Sequence, residues 1–249
     1  MASAMPRPVT STAARVASPV LFAIAAAIVV AASRGLVLFA AHANVVDLAV
    51  SIEKGGAPDA GYLARFVERN GLDRASPDCG ESFTRATLTV SLAALEAATK
   101  QSDAALTEVA ERNALQAAER RLGCNPLDGN AWLRYAEVEA KGGAPAASVI
   151  GDLRMSYRTA PSEAWILEPR LAFATSLRLA GAGGFETEYL GDLGRFAAYE
   201  PIAKVAAAYA ETAPPVRTSL HTLIEAQSDV RKTAIIAEID RLGVDFERP

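Results

Sequence analysis

The stretch that decides the fold is CNPLDGNAWLRYAEVEAKGGAPAASVIGDLRMSYRTAPSEAWILEPR, residues 124–170. A helix from about Gly129 to Ala140 places Trp132, Tyr135 and Ala136 on one face. Gly142-Gly143 makes a turn, and Pro145 stands where the first residue of a helix tolerates proline. The next helix carries Val149, Leu153 and Tyr157 at a spacing of four. Pro161 closes the unit and Trp165 opens another.

The spacing repeats. Pro126 to Pro161 is 35 residues, Trp132 to Trp165 is 33, and Pro161 to Pro201 is 40. The glycine turn at 142–143 returns as GAGG at 181–184. A helix–turn–helix period near 34 with an early tryptophan and a late proline resembles the tetratricopeptide repeat. The resemblance covers residues 103–201. Trp132 matches the large early residue of that motif, Ala136 the small one that lets paired helices approach, and Pro126 and Pro161 the closing proline. Ser148 departs from the pattern beside Ala147, and Pro169 is expected to interrupt the helix begun at Trp165. The array is therefore degenerate. A non-repetitive bundle that uses Trp132 and Trp165 as core residues suits the same residues.

Outward from this region the chain stays helical. Hydrophobic residues make up 51% of it and aromatics only 6%, and the excess is alanine, which favours closely packed helices over sheets. Expected helices are 60–70, 82–99 with Leu88, Leu92 and Leu95, and one N-capped by Ser102 that runs to Leu122 and stops at Gly123. Leu106, Val109, Ala110, Leu115 and Ala118 form its apolar stripe. After a short helix from Pro201 to Thr212, a single long helix from Val216 to Leu242 would close the stack, with Leu220, Leu223, Ile224, Ile235, Ile236 and Ile239 facing inward.

Ala17 to Ala41, beginning ASPVLFAIAAAIVV, would extend about 37 Å as a helix, enough to cross a bilayer. Residues 1–43 carry Arg7, Arg15 and Arg34 and no acid, so their +3 leaves −7 on the remainder of a chain whose net charge is −4. Arginines ahead of the apolar run place the N-terminus in the cytoplasm and the rest outside. The alternative is a cleaved signal peptide, since AHA at 41–43 fits a small-x-small site. Val46, Ala49 and Val50 are expected to share one face where the helix continues outward to Gly55-Gly56.

Cys79 and Cys124 are the only thiols, and an exported domain allows one disulfide between them. His42 and His221 lack ligand spacing with them, so no metal site is expected. No G-x-S-x-G, phosphate loop, H-E-x-x-H or C-x-x-C is present. Glu137 with Glu139, and Glu186 with Glu188, read as solvent-facing charges. No catalytic residue and no cofactor is therefore expected, and an acidic domain without a basic stripe argues against nucleic acid. Trp165, Glu168 and Arg170 could build a peptide-recognition patch; the plainer alternative has Trp165 in the core and the two charges on the surface.

The expected organisation is a cytoplasmic tail (1–16), a transmembrane signal anchor (17–41), juxtamembrane helices and loop (42–81), repeats like those of tetratricopeptide proteins (82–201) and capping helices (202–249). An all-α protein so anchored in a bacterial inner membrane, with its domain in the periplasm, resembles accessory factors of envelope processes, polysaccharide assembly or export foremost. Its partners would be the bilayer and other envelope or membrane proteins. A soluble periplasmic binding protein released by cleavage, and a small structural subunit of a membrane complex, are the rival expectations.

Overall fold

The computed structural model describes residues 12–72 and 79–246, with the helical backbone alone at 12–20, 34 and 37–41. Residues 1–11 of the expected cytoplasmic tail thus lie outside the described residues, and for the rest of the tail and part of the anchor only the backbone is described. Among the described residues the protein is all-α: α1 Thr12–Glu53, α2 Ala60–Arg69, α3 Glu81–Lys100, α4 Ala104–Cys124, α5 Gly129–Lys141, α6 Ala146–Thr159, α7 Ala164–Leu179, α8 Glu186–Tyr199, α9 Ile202–Glu211, α10 Pro214–Glu225 and α11 Asp229–Arg241.

Consecutive helices pair: α3 with α4 and α5 with α6 make the largest contacts, and α4 joins those two hairpins through α5. Alanine permits this. Ala114, Ala117 and Ala118 of α4 and Ala131 and Ala136 of α5 are all essentially inaccessible to solvent, so the backbones approach with no long side chain between them. Gly129, the first residue of α5, lies so close to α6 that a Cβ built there would sit 2.3 Å from the Cβ of Ala160. Val149, Leu153 and Tyr157 are buried together, as their spacing predicts, in a core continuing through Tyr189, Phe196, Tyr209 and Ile224. A second core joins the end of α1 to α2, α3 and α4.

Two patterns account for eight of the eleven described helix ends. Helices α1, α2, α5, α7 and α11 are followed by glycines at positive φ, including Gly55, Gly143 and Gly181. Helices α6, α8 and α9 end just ahead of a proline instead, and an arginine from elsewhere satisfies their last carbonyls. Arg170 donates to Ser156 and Ala160 O, Arg231 to Ala197 and Glu200 O, and Arg217 to Tyr209, Ala210 and Thr212 O.

Several expectations need correction. Asp103, not Ser102, caps α4, its carboxylate accepting from the Leu106 N–H at 3.0 Å, while Ser102 takes φ 57° in the turn. Helix α4 passes through Gly123 to Cys124, whose disulfide fixes that last turn. Pro145 is the cap of α6, one place ahead of the helix. Pro169 does not interrupt α7: it stands one turn in, where the missing N–H leaves only the Trp165 carbonyl without its ladder bond. The long closing helix is two helices, because the chain turns at 226–228 so that α9 and α11 can pack together. On α1, Val45 and Ala49 face the core and Val50 is exposed, so the buried face is rotated from the one expected.

Every described side chain of α1 from Leu21 to Ser33 is exposed, and Leu36 is too. All but Ser33 are apolar, and its hydroxyl returns a hydrogen bond to the Val29 carbonyl at 2.6 Å. Among the described residues no helix is long and apolar enough to cross a membrane.

Candidate functional site

The end of α1 and helices α3, α5 and α7 border one groove of about 650 Å³. Its floor comes from the leucine stripe of α3. Leu88 and Leu95 are buried, Leu92 is half-buried between them, and Ile52 of α1 extends the apolar surface. The stripe exists because residues at i, i+4 and i+7 share a helix face.

The rim is polar and balanced. Arg85, Arg134 and Lys141 stand against Glu53, Glu96 and Glu137. Arg85 reaches Glu53 at 3.0 Å, Arg134 pairs with Glu137 at 2.8 Å, and Lys100 holds Glu96 at 2.6 Å. The bond from Lys100 keeps the Glu96 carboxyl below its ordinary range. Asn130, from the first turn of α5, adds a side-chain carbonyl oxygen that is shielded from solvent and accepts no hydrogen bond. Trp165 closes the α7 end of the groove with 64% of its surface exposed.

The three residues expected to form one patch do not. Trp165 is the exposed member, reversing the reading that put it in the core. Glu168 turns to Lys204 of α9, which also reaches Glu200. Arg170 is 1% exposed and paired with Asp192 of α8, so it is a structural group. Position on the helix accounts for this. Residues 165 and 168 lie on outward faces, whereas 170 points between α6 and α8, where two carbonyls and a carboxylate await a cation.

A pair of carboxyl groups lies across the hairpin, Glu139 on α5 and Asp152 on α6. Burial raises Asp152 to about 7, and its hydrogen bond to Glu139 and the charge of that group add to the rise. Glu139 also accepts from the Ser148 hydroxyl at 3.2 Å. The neighbouring Tyr135 phenol is pushed up too, first by burial and then by Glu139, Glu119 and Asp152. Glu139 therefore faces a half-buried carboxyl across the hairpin and is not a lone solvent-facing charge. A spacing of thirteen residues across a turn gives no periodic signal, so only the folded hairpin reveals it. Glu186 is likewise not idle: its carboxylate accepts the Gly184 N–H at 2.9 Å and tightens the turn before α8.

Cys79 and Cys124 are joined as a disulfide, with a Cα–Cα distance of 5.3 Å. The bond ties the approach to α3 onto the end of α4. Beside it the buried Arg121 donates to Asp128 at 2.6 Å, to Thr84 at 3.0 Å and to the Glu81 carbonyl at 3.2 Å. Among the described residues no group of three His, Cys, Asp or Glu side chains is arranged to hold a metal ion. The chain matches no protein family, curated protein or solved structure with which it was compared.

Proposed function

We propose that the protein is a membrane-anchored scaffold of the bacterial envelope that binds an extended segment of a partner protein in the groove over α3, α5 and α7. The groove carries the reading. It joins an apolar floor at Leu92 to an unsatisfied buried acceptor at Asn130 inside a rim of paired charges. An extended peptide offers what that surface lacks: apolar side chains for the floor and a backbone N–H for the asparagine. The balanced rim favours a partner of mixed charge over a strongly acidic or basic one.

The anchor is α1. By sequence, residues 17–41 have the length and apolarity of a bilayer span, although that run includes positions where only the backbone is described, and the described side chains from Leu21 to Leu36 are exposed. The arginines before it orient the domain outward, and a disulfide suits an oxidising compartment. Hairpins stacked in sequence order fit a degenerate tetratricopeptide-like array, whose inner surface would be the groove. Within the envelope we assign it an accessory role, polysaccharide assembly or export foremost, without catalysis of its own.

The test is a photo-crosslinking amino acid placed in cells at Leu92 or Asn130 in the groove, and at Val109, which is exposed on α4. One partner captured from both groove positions and not from Val109 is the expected result. Adducts at Val109 alone, or at none of the three, would count against it.

A further inference from the structure

Outside α1, the four most exposed large apolar side chains among the described residues are Val230 (84%), Tyr199 (81%), Leu127 (73%) and Trp165 (64%). They come from four different places in the sequence: the start of α11, the end of α8, the α4–α5 turn and the start of α7. The packing brings all four places to one end of the helical domain.

The chain of contacts is continuous. The His42 ring stacks on Phe83 at 3.8 Å, so the first turn of α3 is level with residue 42 of α1. Gly55 to Pro58, beyond the end of α1, lie instead against Ala97 and Lys100, so the two helices run parallel. Cys79 is bonded to Cys124, and Arg121 bridges Glu81 and Asp128, which sets the α4–α5 turn and Leu127 at the same end. Gly129 abuts Ala160, which brings the start of α7 there as well. Lys204 links Glu168 to Glu200, and Arg231 binds the last carbonyls of α8, which adds Tyr199 and Val230.

This end is also where α1 emerges. The apolar stretch stops at Ala41, and His42 already touches the domain. No spacer separates the two. From these observations, and resting on the reading of α1 as a membrane anchor, we infer that this end of the domain lies on the outer face of the bilayer. Trp165 and Tyr199 sit in the headgroup region, and Leu127 and Val230 enter its apolar edge. Tryptophan and tyrosine favour that layer because one part of the ring is apolar and another takes hydrogen bonds. The ionisable groups nearby are of both signs and largely paired: Lys204 with Glu168 and Glu200, Lys232 with Glu225 and Asp229, and Arg121 with Glu81. Contact is therefore apolar and aromatic and does not depend on anionic lipid. The anchor and four surface side chains hold the domain in one orientation, with the far ends of α3, α5 and α7 pointing away from the membrane.

The experiment uses the full chain in liposomes of zwitterionic lipid brominated in the upper acyl chain. Trp132→Phe leaves Trp165 as the sole tryptophan, and Trp132→Phe, Trp165→Phe, Leu179→Trp moves it to the opposite end of α7. Extraction with alkaline carbonate is run in parallel. The expected result is a carbonate-resistant protein in which bromine quenches Trp165 but not the tryptophan introduced at position 179, with no loss of quenching at high salt. Carbonate resistance with neither tryptophan quenched would overturn the inference and leave the anchor standing. Quenching of both would mean that the domain lies on its side, and overturns it too. Release by carbonate would overturn the anchor itself and the inference with it.

Discussion

Arg170 of α7 holds Asp192 of α8 through two hydrogen bonds, Nε to Oδ2 at 2.7 Å and Nη2 to Oδ1 at 3.1 Å, with both side chains closed to solvent. Its remaining nitrogen, Nη1, donates to Ser156 and Ala160 O, and its guanidinium lies 4.5 Å from the centre of the Tyr157 ring. Groups from two neighbouring helices, and the turn that follows α6, thus depend on one cation. Replacing it by Arg170→Met strands Asp192 with only the half-exposed Arg195, and leaves two carbonyls without this donor. Removal of one member of a buried pair costs about 3–5 kcal/mol, and chemical denaturation of the purified protein should show a loss of that order. The double variant Arg170→Met, Asp192→Leu should be no less stable than the single one, because the uncompensated charge is gone.

The disulfide closes a loop of 45 residues that contains α3 and most of α4. By loop-closure entropy its removal costs up to ~4 kcal/mol. Cys79→Ser with Cys124→Ser should lower the melting temperature, while α5 to α11, whose core does not include the bond, retain their helicity by circular dichroism. Thiol capping before and after reduction should detect two free thiols only after it.

What the sequence allowed and what it withheld differ by range. Glycine and proline mark helix ends locally, so the α5–α6 hairpin, with Gly143 at its turn, is legible almost to the residue. The disulfide is legible because there were only two thiols to join. The split between α10 and α11 is not: Ala226, Gln227 and Ser228 contain no breaker, and the turn forms because α11 gains a partner in α9. Arg170 and Trp165 exchange their expected places for the same reason. The arginine is buried by a carboxylate 22 residues away in the chain, and the tryptophan is exposed by the level at which α7 begins. The groove follows from the α3 leucines only once α5 and α7 are set beside them.

Gly129 tests the close approach of α5 and α6. A Cβ at this position would meet both the Ala160 Cβ at 2.3 Å and the Ser156 carbonyl at 3.2 Å. Backbone must move to admit it, and Ala160 cannot yield without disturbing the carbonyl that Arg170 binds. Gly129→Ala should therefore destabilise by about 1–3 kcal/mol, the range for overpacking, although alanine is ordinarily the better helix former. Gly123→Ala is the control: nothing lies within 4 Å of a Cβ there, and a helical position in open space should gain slightly or not change.

The Asp152–Glu139 pair makes stability depend on pH in the direction opposite to most carboxylates. Asp152 moves from 3.8 to about 7 on folding, chiefly through burial and secondly through Glu139. An acid whose pKa rises on folding binds its proton more tightly in the native state. Between those two values the folded protein holds a proton that the unfolded chain has released, so each step up in pH favours unfolding. The contribution of this group is greatest below pH 3.8 and is lost as pH rises through about 7. Asp152→Asn keeps the hydrogen bond to Glu139 and removes the titration. Melting temperatures measured across that window should fall more steeply for the native protein than for the variant, and the variant should be the more stable of the two above neutrality. Parallel melting curves for both proteins would show that folding does not raise the Asp152 carboxyl.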